Sequence, residues 1–181
     1  MKRFEQKAAA CILIIGALTA VLLLSGLFTF NVSSSVPLGL WLRLSNKNIK
    51  IGDIVEINFK DFIEDNSWAP DAYYKVNEVG RTAPYLKRVA ALPGDEIELG
   101  EFNLLKVNNK IILNSMALSQ DRAGNILRNY LLDLKAQGLL PLKLKANEVW
   151  LTSDSPRGFD SRYLGPAKLD KCVKVLPILV F

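Results

Sequence analysis

The chain opens on a short charged stretch and then runs from residue 8 to residue 30 without a charge, with only Thr19, Ser25 and Thr29 carrying hydroxyls. As a helix these 23 residues would be about 34 Å long, enough to cross a bilayer core with slight tilt. Beyond that run the pattern changes to alternation. Residues 54–59 alternate apolar and polar with the period of a half-buried strand. Residues 85–92 predict another strand, ended by the turn Pro93-Gly94-Asp95, after which residues 96–99 resume. Residues 104–107 and 111–113 flank Asn108-Asn109-Lys110 as a short hairpin, and residues 149–151 and 173–181 supply the last strands. One downstream segment has helical spacing: residues 125–137 put Ile126, Tyr130 and Leu134 on one face, with Gly138 as a stop. It falls in an expected insertion at about residues 115–145, and residues 61–82 read as a long mixed loop. There is no internal repeat. The expected fold class is mainly β: an antiparallel β-sheet domain with a small insertion, preceded by one N-terminal transmembrane helix.

Charge orients this arrangement. Lys2, Arg3 and Lys7 stand against Glu5 before the apolar run, and nothing from residue 31 to residue 42 is charged. The positive-inside rule keeps residues 1–7 in the cytoplasm and exports residues 31–181. A cleavable signal sequence is the competing reading, but its apolar region spans only about 7–15 residues, which favours a retained anchor. The implied domains are a cytoplasmic N-terminus (1–7), a membrane helix (8–30) and an exported domain (31–181). The exported part holds 20 Lys and Arg against 17 Asp and Glu, too mild and scattered a surplus to indicate nucleic acid. The chain contains no histidine, so neither a Ser-His-Asp site nor a His-based zinc site can be built. Cys11 lies in the apolar run and Cys172 near the C-terminus, so no intramolecular disulfide is expected. Hydrolytic chemistry must come from Ser, Thr, Lys, Asp or Glu, and no cofactor or metal is expected.

Three segments carry such residues. Residues 31–41 read Asn-Val-Ser-Ser-Ser-Val-Pro-Leu-Gly-Leu-Trp; alone, this is a Ser-rich linker leaving the bilayer. Residues 85–95 place Lys87 and Arg88 inside an apolar strand pattern. Adjacent strand residues face opposite ways, so one can point inward while the other stays solvated; alone, both read as surface cations. Residues 159–166 include Asp160, Ser161, Arg162 and Tyr163, which alone are an Asp–Arg pair beside a turn.

Together the three resemble the boxes of the signal peptidase I superfamily. Lys-Arg-Val-x-x-Leu-Pro-Gly-Asp is matched by Lys87 to Asp95, with Ala91 where glycine is usual. Asp-Ser-Arg-Tyr-x-Gly is matched by Asp160 to Gly165, with Leu164 where an aromatic is common. The order of the boxes, the anchor before the serine and the 52-residue step from Ser35 to Lys87 agree. The branch is narrower still. The methionine after the serine and the Gly-Asp-Asn of ordinary signal peptidases are missing, and Ser153-Asp154-Ser155 stands in the latter's place. Asn31, Ser33, Ser35, Pro37, Gly39, Leu40 and Trp41 instead resemble the serine box of the TraF-type peptidases of conjugative plasmids. That branch matures pilin precursors for conjugative transfer, and some members join pilin ends into a circle.

The resemblance implies a signal-peptidase-like catalytic domain and a Ser/Lys endopeptidase. Its partners would be membrane lipid, a protein substrate (a pilin precursor or other exported preprotein) and the conjugative secretion apparatus. A serine hydroxyl needs a base beside it, and a lysine serves only when burial lowers its pKa by several units. Lys87 is the base, since Arg88 cannot deprotonate, and Leu86, Val89 and Leu92 are apolar material for its pocket. Ser-x-Pro spacing and the pairing with Ser33 select Ser35 as nucleophile, whereas the Ser-x-x-Pro spacing of ordinary signal peptidases selects Ser34. As the family implies, Ser33 and the Ser35 backbone N–H would hold the oxyanion, with Asp160 and Arg162 bracing the site. A general signal peptidase and a catalytically silent scaffold of a secretion apparatus are the competing functions.

Overall fold

The computed structural model describes residues 7, 13–14, 16–17, 21, 25–45, 48–58, 61–62, 84–121 and 124–181. The strands are β1 (Phe28–Asn31), β2 (Gly39–Arg43), β3 (Ile54–Asn58), β4 (Pro84–Ala91), β5 (Glu96–Leu99), β6 (Leu105–Val107), β7 (Lys110–Ile111), β8 (Leu142–Lys143), β9 (Glu148–Thr152), β10 (Ala167–Lys168) and β11 (Val173–Val180). Among the described residues the α-helices α1 (Tyr130–Ala136) and α2 (Ser161–Leu164) lie between them. All strand pairs are antiparallel. A seven-stranded sheet runs β1-β2-β11-β3-β4-β9-β10, and a four-stranded sheet runs β7-β6-β5-β8. The large sheet curls strongly, because β1, at its end, returns to within 8 Å of β4 between Cα atoms.

Alternation along β3, β4 and β9 sorts the core. Val55, Ile57, Val89, Val149 and Leu151 join Phe62, Leu164 and Cys172 on one face, while Val36, Trp41, Ile54, Leu86 and Val175 cluster separately. The register of β4 against β9 shifts between Val89 and Ala91. Ala90 and Ala91 thereby join a further cluster with Trp150, Ile97, Leu105 and Leu131, which packs the small sheet and α1 onto the large one. Asn108 and Asn109, at φ 46° and 66°, make the tight turn between β6 and β7.

The expectation of a mainly β, antiparallel fold is met, and several details differ. The helix expected over residues 125–137 begins only at Tyr130, because the Asn129 side chain caps it by accepting from Leu131 N and Leu132 N. Ile126, assigned to that helix's apolar face, instead bridges Gln120 and is 79% exposed. Gly138, at φ 68°, does end the segment. Strands β1, β2, β8 and β10 and helix α2 were not anticipated. They are too short to show periodicity, and β8 lies inside the expected insertion, where it pairs with β5. The membrane helix expected over residues 8–30 falls mostly outside the described residues, and its last three positions, Phe28, Thr29 and Phe30, are strand. Pairing of Phe28, Thr29 and Phe30 with Leu42, Trp41 and Leu40 satisfies their backbone groups in place of a helix. Among the described residues no helix is long and apolar enough to cross a membrane.

Candidate active site

Lys87 is placed by strand register. It pairs with Val55, and its neighbours on the same face of β4 are Tyr85 and Val89, while Leu86 belongs to the opposite cluster. The pocket wall is therefore Tyr85 and Val55 in place of the expected Leu86. The side chain is 2% exposed, and its Nζ lies 5.2 Å from the Tyr85 ring centroid. Burial lowers its pKa from the ordinary 10.5 to about 8; Asp160 and Asp154 act against this, and Arg162 adds to it. Arg88 points the other way and forms a two-pronged bridge to Asp154, 2.7 Å at each contact.

Ser35 sits in the turn after β1. It is 4% exposed, whereas Ser34 is exposed. Its Oγ lies 2.7 Å from Ser33 Oγ, and its carbonyl accepts from Asp154 N at 2.7 Å and Ser153 Oγ at 3.2 Å. The turn is clamped from beneath by buried Asn31, whose Nδ2 donates to the carbonyls of Ser33, Val36 and Pro37. Val36 packs against Leu86 of β4. The serine turn thus packs into the cluster on the face of β4 opposite Lys87, and it is tied to the residues just after β9. Among the described residues no hydrogen bond joins Ser35 Oγ to Lys87 Nζ. Catalytic hydrogen bonds in free enzymes are often long and tighten only with substrate.

Asp160 and Arg162 hold the segment that holds Ser35. Asp160 is fully buried and caps α2; its carboxylate accepts from Ser153 N at 2.7 Å and, at 2.8 and 2.7 Å, from Nε and Nη2 of Arg162. The Arg162 guanidinium also donates to the carbonyls of Ser155, Pro156, Gly158 and Met116. One buried ion pair therefore shapes residues 153–160 and ties in the segment before α1. Gly158 belongs to the same device, since a Cβ there would lie 1.9 Å from Ser153 Oγ. Cys172 is buried, its thiol pushed up to about 12 by burial, so it is no thiolate at neutral pH.

The structure brings Ser33 and Ser35 together, and Asp160 and Arg162 together. It connects the two pairs through Ser153 and Asp154, which sequence reasoning noted only as a departure from a motif. Asn31 was read as part of a motif, without a role. The sequence holds no signal for one, because its burial at the end of β1 comes from pairing with β2.

Residues 3–179 match the family described as signal peptidase, peptidase S26, and the chain belongs to that family. Within it the chain is of the TraF type. A conjugal transfer protein TraF of Agrobacterium tumefaciens (strain 15955) is 30% identical over 160 residues, 84% of this chain and 81% of its own length. One from Agrobacterium fabrum (strain C58) is 27% identical over 157 residues, 85% and 82% of the two chains. Among solved structures, a signal peptidase I from Enterococcus faecalis V583 is similar at 20% identity and a TM-score of 0.43, covering 74% of this chain and 100% of its own.

Proposed function

We propose that this protein is a membrane-anchored serine endopeptidase that processes a pilin precursor for conjugative transfer, with Ser35 as nucleophile and Lys87 as general base. The observation that carries the reading is Lys87 itself, a buried lysine with its pKa lowered to about 8, on the strand that pairs with β9, whose following residues hold the buried Ser35. A neutral amine takes the Ser35 proton as Oγ attacks the scissile carbonyl carbon. The resulting oxyanion would be held by the Ser35 backbone N–H and the Ser33 hydroxyl. The ammonium of Lys87 returns its proton to the leaving amine, leaving an ester on Ser35. Water releases the acid from that ester; attack by an amine of the same pilin chain would instead close a circle.

The outer face of the large sheet supports the membrane-bound reading. Cross-strand partners share a face, and the registers Phe28–Leu42–Leu176 and Phe30–Leu40–Leu179 gather six apolar side chains on that face of β1, β2 and the end of β11. Phe30 and Leu179 are 60% and 67% exposed, a surface suited to lie on lipid where the uncharged run ends. In the proposed topology residues 1–7 are cytoplasmic, the domain from residue 31 is periplasmic, and the pilin and secretion apparatus are its partners.

The test is co-expression with a candidate pilin precursor and intact-mass analysis of the products. Ser35→Ala and Lys87→Arg should each abolish cleavage, since a guanidinium keeps its proton, and Ser34→Ala should retain it. The wild-type rate should rise about tenfold per pH unit up to about pH 8 and then level off, as the neutral fraction of Lys87 saturates. Near-normal turnover by Lys87→Arg would end the Ser/Lys mechanism.

A further inference from the structure

Asn31 Nδ2 lies 2.8, 2.8 and 3.0 Å from the carbonyl oxygens of Ser33, Val36 and Pro37. Three acceptors around one atom identify it as the nitrogen, so the other amide atom is an acceptor alone. That oxygen, Oδ1, receives the Ser33 N–H at 3.2 Å and the Ser33 hydroxyl at 3.0 Å. Ser33 has one hydroxyl hydrogen, and Asn31 takes it. The 2.7 Å contact between the two serine oxygens is therefore donated by Ser35 to Ser33. At rest the hydrogen of the nucleophile points to Ser33, and the hydrogen needed by the oxyanion points to Asn31.

We propose that Asn31 is a positioning residue for the reaction. Its amide nitrogen fixes the serine turn, and its amide oxygen keeps the Ser33 hydroxyl beside Ser35 Oγ, from which it turns to the developing oxyanion. This rests on the reading of Ser35 as nucleophile and Ser33 as oxyanion donor. When a carbonyl substrate arrives, the Ser33 hydrogen leaves Asn31 Oδ1 for the oxyanion, while the Ser35 hydrogen goes to Lys87 Nζ. No atom beyond those of the chain and the substrate is needed. Asn31 touches neither nucleophile nor base, so its effect passes through Ser33 and the turn.

The experiment uses the full chain in detergent micelles with p-nitrophenyl acetate, an ester whose leaving group needs no protonation. Acetylation of Ser35 is followed by peptide mass mapping, and folded protein is counted by protease resistance. Ser33→Ala and Asn31→Ala should each slow Ser35 acetylation by roughly 10–100-fold, somewhat less than a full oxyanion donor is worth. Asn31→Ala added to Ser33→Ala should cost only about threefold more, because the hydroxyl it positions is gone. If Asn31→Ala does not fold, Asn31→Ser carries the same cycle. Full multiplication of the two losses, or wild-type acetylation by the Asn31 variants, overturns the proposal and leaves the nucleophile standing. A wild-type chain acetylated elsewhere but not at Ser35 overturns the nucleophile reading, and the role of Asn31 with it.

Discussion

Lys87 lies within the eight-residue strand β4, where pairing with β3 on one side and β9 on the other fixes its backbone. Ser35 lies outside every strand, in a turn kept in place by side chains: Asn31 below, Ser153 at the carbonyl, and the Asp160–Arg162 pair behind Ser153. The lysine needs an apolar, dehydrated position, and a sheet interior provides one without further machinery. The serine needs an exact oxygen position at the rim of that interior, where backbone pairing has stopped. Position there comes from polar groups, each a point at which it can be lost. The serine side of the site should therefore be broken by changes to distant polar residues, whereas the lysine side should respond mainly to changes in its own chemistry.

The largest test removes the support behind Ser35. Asp160→Ala strips the carboxylate from buried Arg162 and frees Ser153 N. Breaking a buried pair from one side typically costs about 3–5 kcal/mol, since it leaves an uncompensated charge. Chemical denaturation of the variant in detergent should show that loss, and cleavage should fall with it. Arg162→Met added to Asp160→Ala should recover part of the stability without recovering cleavage. Recovery of both would mean that the pair does not position Ser35.

How much of this was legible follows from the same contrast. Strand β4 could be read from its apolar run and from the turn Pro93-Gly94-Asp95, and its lysine stood out as a charge in that run. The boundaries of β5 (Glu96–Leu99) came out as expected, for the same reason of simple period and clear turns. The serine turn was legible only as a motif. Nothing in Asn31-Val32-Ser33-Ser34-Ser35 reveals that Asn31 is buried, because its burial depends on β2 returning past it. Gly158 likewise reads as an ordinary loop glycine until Ser153 is found occupying the space its Cβ would need. Helix α1 was overextended because hydrophobic spacing ignored the capping amide of Asn129.

A second test turns on the cost of burying Lys87, the proposed base. The pKa of Lys87 is lowered on folding, from 10.5 to about 8. Below pH 8 the amine is protonated in both states, and the native state bears the full burial penalty. Between about pH 8 and 10.5 the unfolded chain binds the additional proton, so stability rises with pH across that window. The span corresponds to about 3 kcal/mol. Lys87→Met, which keeps the apolar stem and drops the amine, should be inactive and more stable than wild type below pH 8, by up to about 3 kcal/mol. Its advantage should close towards pH 10.5. Melting curves of the full chain at two pH values decide this, and an unchanged difference between them would place the lysine in contact with solvent.

The smallest effect is expected from Ser153. Its hydroxyl is one of two donors to the Ser35 carbonyl, and the shorter contact, from Asp154 N at 2.7 Å, survives Ser153→Ala. One remaining donor keeps the buried oxygen satisfied, so the loss is that of a single neutral hydrogen bond, about 1 kcal/mol. If the whole of it appears in the transition state, cleavage falls about fivefold, with kcat changing more than KM. Gly158→Ala should do more damage than Ser153→Ala, because its methyl group would also press on Ser153 Cβ, 2.1 Å away, and push the segment itself. In a Ser153→Gly background that clash disappears, leaving a 3.2 Å approach to the Ser155 carbonyl oxygen, and Gly158→Ala should then do less damage than it does in the wild type. A serine turn held by several weak polar contacts predicts this graded series. If Ser153→Ala alone were as inactive as Ser35→Ala, the turn would depend on one hydroxyl, and the contrast with the strand-held lysine would be sharper than the hydrogen bonds imply.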